Sequence, residues 1–119
     1  MTRGLTGWRM FAGFNGCVAV AMGAAGAHIA ADVQAGALIE RAAHYALIHS
    51  LVLLYLSGLT GAFARAARWL ILAGIILFCG SLYLKGLTGW QYATRPAPFG
   101  GTSLMLGWLM LAFSGLRRR

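Results

Sequence analysis

Residues 69–87 read WLILAGIILFCGSLYLKGL, an apolar run whose single charge, Lys85, stands near its end. An amphipathic helix on a soluble protein shows a polar stripe at helical spacing, and this run has none. About 20 such residues, rising 1.5 Å each, cross about 30 Å of hydrocarbon. The stretch is a transmembrane helix by length and by composition.

Working outward, three more runs of similar length occupy residues 10–31, 43–64 and 99–116. None has the alternating polarity of a barrel strand, so helices are the spanning form. The predicted fold class is an all-α integral membrane protein: a four-transmembrane-helix bundle, one domain over residues 1–119, N-in and C-in. The connection over residues 87–98, which holds Pro96 and Pro98, is predicted to be a rigid extended turn.

The composition agrees. Of 119 residues, 60% are hydrophobic and 10% charged, against about 25% charged in ordinary soluble domains. Ten Lys and Arg against two acidic residues give +8, a balance that raises the question of nucleic acid. Their placement at the ends of apolar runs, without aromatic interleaving, is that of topology determinants instead. Cys17 and Cys79 fall inside apolar runs and read as small buried hydrophobes.

Four spans put Arg3, Arg9, Arg65, Arg68, Arg117, Arg118 and Arg119 on one side and Arg41, Lys85 and Arg95 on the other. The positive-inside rule then places both tails in the cytoplasm of a bacterial-type inner (plasma) membrane. A second reading treats the first run as a secretory signal, cut near Ala25-Gly26-Ala27. Ala19, Gly23 and Ala27 form a ladder of small residues for helix packing, with Gly58, Ala62, Gly74 and Ser81 as counterparts. A homo-oligomer is an open option on the same ladder.

Polar side chains at membrane depth are costly without a partner, which makes the few present informative. Asn15 lies in the first span and His28 near its outer end. His44, Tyr45 and His49 enter the second span, and Ser81 and Tyr83 lie in the third. The topology gathers most of them in the outer half. Tyr45 and His49 share a helix face, whereas His44 lies about 140° around from His49 and makes no paired ligand with it.

The candidate polar pocket is therefore His28, Tyr45, His49, Ser81 and Tyr83. In one reading, His28 and His49 bind metal or haem, carry protons, or hydrogen-bond a quinone ring. In the other, each imidazole bonds a tyrosine, a serine or a loop carbonyl and pins the helices. Two histidines without carboxylates fall short of a zinc site, and the spans set the two about 9 Å apart in depth, which counts against haem. No catalytic residue, metal set or cofactor is predicted. Asp32 and Glu40 read as outer-loop charges that are solvated or facing Arg41 and Arg95.

Several motifs carry a family resemblance: Gly23-Ala24-Ala25-Gly26-Ala27-His28, Tyr45 with His49 four residues on, Phe78-Cys79-Gly80-Ser81-Leu82-Tyr83, Pro98-Phe99-Gly100-Gly101 and Gly107-Trp108. Together they resemble the small membrane proteins grouped as domain of unknown function 423, also uncharacterised protein family 0382, which are transmembrane protein 256-like. Gly23, Gly26, Gly80, Gly100 and Gly101 are the motif glycines. Ala46 departs from the pattern, where Gln is usual. The resemblance implies that the first span is kept in the mature protein, and it implies no activity.

The expected function is that of a non-enzymatic structural or accessory component in the lipid bilayer, beside a larger membrane protein complex and without nucleic acid. The alternatives are a quinone, lipid or solute binding or transport protein using the His/Tyr pocket, and a haem-binding redox subunit.

Overall fold

The computed structural model describes residues 2–117, with side chains over 6–116. Arg118, Arg119 and the side chains of Arg3 and Arg117, counted above for orientation, lie outside the described residues. Four helices follow one another: α1 (Thr2–His28), α2 (Val33–Leu56), α3 (Ala62–Thr88) and α4 (Ala97–Ser114), with a closing 3-10 turn over Gly115–Arg117. All four are long and apolar enough to cross a membrane.

The second helix starts about ten residues earlier than the hydropathy reading of 43–64. Asp32 sits in extended geometry and its carboxylate accepts the Ala35 amide at 2.8 Å, which fixes the helix start. Glu40 and Arg41 belong to the helix rather than to a loop, and with His44 they lie on exposed faces of its first half. At the other end α2 stops at Leu56, where Ser57 Oγ bonds the Leu54 carbonyl and a turn through Gly61, at φ +104°, reverses the chain. Gly58 therefore lies in a turn and is no packing counterpart.

The connection after α3 also differs from expectation. Gly89 ends the helix in the left-handed conformation, its amide bonded to the Lys85 carbonyl. Residues 90–96 then coil through successive tight turns, Ala93 to Trp90, Arg95 to Tyr92 and Ala97 to Thr94. Pro98 falls in the first turn of α4, where a missing amide hydrogen costs no helix bond. The prolines thus start a helix and do not extend the loop.

Successive helices are antiparallel, and α1 with α2 and α3 with α4 are the most extensively packed pairs. Glycines set the closeness. A Cβ at Gly26 would lie 3.0 Å from the Gly36 carbonyl, and one at Gly107 would lie 2.6 Å from Ile71 Cδ1. Gly74 and Gly100 meet across the same α3–α4 seam, Gly74 beneath Leu104 and Gly100 against the Phe78 amide. Without a hydrophobic force between helices in lipid, such close approach is what holds them.

The α2 helix joins the two pairs, with Ile39 against Gly86 and α2 lying on the Gly80–Thr88 part of α3. Midway along α3, Ile75–Cys79 forms one wide turn of π-helix, an insertion that rotates the face following it. Cys79 is buried as expected, whereas Cys17 is exposed on the outside of α1 because the small residues of that helix, Ala12 and Ala19, take the inward face.

Candidate functional site

The polar side chains do not form a pocket in the outer half. His49 lies about 24 Å along α2 from Val33, in the half nearer the tails. His28 is exposed at the far end of α1, in a groove with Asp32 and Glu40. Since Gly26 packs on Gly36, and Gly36 stands about 20 Å up the helix from His49, the two histidines do not meet. The earlier start of α2 is the cause.

What the bundle does build is a bracket around His49, which is 4% exposed. Its Nδ1 lies 2.6 Å from the Tyr45 carbonyl oxygen, which can only accept. Trp108 on α4 donates its indole N–H to Nε2 at 3.0 Å. Those two partners fit one species, the neutral imidazole protonated at Nδ1, and occupy both ring nitrogens. Tyr45 stacks on the imidazole at 6.0 Å and 9°, and tilts against Phe78 at 4.9 Å. Through this pair of rings α2 meets α4 at His49 and α3 at Tyr45.

On the adjacent face of α2, Asn15 Nδ2 donates to Ser50 Oγ at 2.6 Å and to the Ala46 carbonyl at 3.0 Å. This amide link ties α1 to α2 at the level of the histidine bracket.

Ser81 Oγ turns back to the Phe78 carbonyl at 2.9 Å, inside its own helix. Tyr83 keeps its hydroxyl buried and without a hydrogen-bond partner, so it does not bond His49 or Tyr45. Of the expected pocket, then, only Tyr45 and His49 are neighbours. Gly23 and Gly26 serve the α1–α2 seam and Gly100 the α3–α4 seam, while Gly80 and Gly101 touch little.

A second cluster closes the tail end. Arg68 Nη1 donates to the carbonyls of Leu56, which also accepts the Leu59 amide, at 3.0 Å and of Leu59 in the following turn at 3.1 Å. Its guanidinium also stands 5.8 Å from the Trp8 ring centroid, and Trp8 meets Trp69 edge-on at 5.1 Å. A positive charge at a helix C-terminus is favoured by the helix dipole. The positive-inside count treats Arg68 as a topology charge, and its capping role has no local signature in the sequence.

Among the described residues, no group of three or more His, Cys, Asp or Glu is placed to hold a metal ion. Four apolar helices linked by interior hydrogen bonds define a small polytopic membrane protein. The protein-family model described as "Protein of unknown function (DUF423)" matches residues 22–101, and the chain belongs to that family. Among its relatives, a UPF0382 membrane protein of Staphylococcus aureus is 40% identical over 82% of this chain and 84% of its own length. Another, of Haemophilus influenzae, is 33% identical over 88% and 90%. One of Bacillus subtilis is 28% identical over 87% and 90%. No solved structure matches the chain.

Proposed function

We propose that the protein is a non-enzymatic structural or accessory component of the bacterial inner membrane, with both tails in the cytoplasm, docked beside a larger membrane protein. The observation that carries this reading is the bracket at His49. The ionisable side chain at membrane depth that would be the first choice for chemistry has both ring nitrogens engaged within the chain. Its work there is to fix α2 against α4. Tail orientation is supported by the basic residues, including Arg9, Arg65 and Arg68, at the end opposite Asp32 and Glu40.

The test is mild cross-linking in native membranes, then purification through a C-terminal tag. One membrane protein recovered in fixed ratio, with its yield unchanged in Trp108→Phe, is the expected result. Recovery of the chain alone, together with a spectrum of bound haem or quinone lost in His49→Ala, overturns the reading in favour of a redox or binding protein. Reporter fusions after Thr60 and Leu116 should be active on the cytoplasmic side, and fusions after Ala31 and Gln91 on the other.

A further inference from the structure

The α3–α4 connection overhangs a groove of about 560 Å³ on the outside of α3. Its floor is Ile76, Leu77, Gly80 and Leu84, and its roof carries Trp90 and Arg95. We infer that this groove is a binding site for one anionic glycerophospholipid from the leaflet that borders the connection, with its phosphate on Arg95 and an acyl chain along Gly80.

Two observations point to that occupant, the first at the roof. Arg95 is exposed, its guanidinium lies 4.7 Å over the Tyr92 ring, and among the described residues no carboxylate stands within ion-pair distance. A planar, weakly hydrated cation held over an aromatic ring at the membrane interface is suited to a phosphate diester. Trp90, half exposed beside it, is the residue type that settles at headgroup level. Charge and position complement an anionic headgroup.

The second observation is on the floor. Glycine inside a helix is a poor choice unless something must come close, and at the other interior glycines of α3, Gly74 and Gly86, a neighbouring helix does. At Gly80 a Cβ would meet nothing within 4 Å. The bare notch serves no contact of the chain itself, and it opens directly into the groove. It follows the wide turn Ile75–Cys79, an irregularity often found at functional positions. From Leu84 down to Ile76 the floor runs about 12 Å, most of the way through one half of the hydrocarbon.

The experiment uses the full chain purified in detergent and exposed to equal amounts of phosphatidylglycerol and phosphatidylcholine with identical acyl chains, read by native mass spectrometry. Phosphatidylglycerol should be retained with a preference of roughly tenfold, because in phosphatidylcholine the choline cation offsets the phosphate charge that Arg95 meets. Arg95→Gln, a change in an exposed turn, should bring the ratio to about one. Gly80→Leu, whose Cβ meets no atom of the chain within 4 Å, fills the notch and should reduce retention of both lipids, with helix content and elution volume checking its fold. Equal retention by the parent protein overturns the site, as does a preference that survives Arg95→Gln or retention untouched in folded Gly80→Leu. Should Gly80→Leu not fold, the parent protein and Arg95→Gln decide.

Discussion

Trp108 donates its indole hydrogen to a ring nitrogen that must be unprotonated to receive it. Trp108→Phe keeps most of the ring and removes the donor, leaving Nε2 of a buried imidazole unsatisfied. Interhelical hydrogen bonds in membranes contribute about 0.6 kcal/mol on average and up to about 1.7 kcal/mol. We expect a loss near the upper figure, because the orphaned acceptor is buried. Reversible unfolding in mixed micelles measures it, and a double-mutant cycle with His49→Phe should return the same coupling. Asp32→Ala, which removes a single helix cap, should cost about 1 kcal/mol in the same assay. Trp108 could be singled out in the sequence as a tryptophan in mid-span, far from the interface. Its partner could not, because the pairing spans 59 positions and depends on how deeply α4 is seated on α3.

Among the helices, α3 carries the most irregular design. Its first part lies along α4 and its last part along α2, with the wide turn at Ile75–Cys79 between them. Close contact on both flanks depends on glycine, so Gly107→Leu or Gly100→Val must push α4 off α3 and should destabilise the protein by about 1–3 kcal/mol. Gly80→Ala enters open space and should instead gain up to about 1 kcal/mol. Opposite signs in thermal unfolding at two glycines of the same bundle would be a strict check on the helix seams. Hydropathy finds four helices here because each is longer than a soluble helix needs to be. It misplaces α2 because Asp32, Glu40 and Arg41 resemble a loop when counted as charges. In the structure all three are exposed, with Glu40 and His44 along the edge beside α1, where the Glu40 stem lies against Gly26, while Ile39, Ala42, Ala43 and Ala46 face inward. The cap at Asp32 was the available signal, and a charge-based boundary passes over it.

Taken whole, the molecule is two helical hairpins joined by α2 lying on α3 and by the Arg68 cap. Cutting the chain after Thr60 puts the guanidinium and the two carbonyls it caps on separate pieces while leaving each glycine seam intact. Co-expressed halves should therefore associate in the membrane and co-purify. Arg68→Gln in the split version should reduce the recovered complex severalfold, given roughly 1 kcal/mol or more for a charge-assisted bond. Recovery of the same yield with and without Arg68 would remove that residue from the assembly of the bundle. The four-helix arrangement could be read from the runs of apolar residues, whereas the cap and the histidine bracket arise only when the helices have met.

The pairing order has a further consequence for how the protein is made. The first hairpin, α1 with α2, has its glycine seam and its Asn15 link complete before any residue of α3 has been synthesised. It can leave the translocation channel as a finished unit, and the second hairpin can follow in the same way. The bare imidazole nitrogen of His49 then waits in the bilayer until Trp108, 59 positions later, has been synthesised. A ribosome stalled short of that residue would leave the membrane holding an intermediate with an open histidine, and quality-control proteases that sense exposed polar groups within lipid would have a defined feature to recognise.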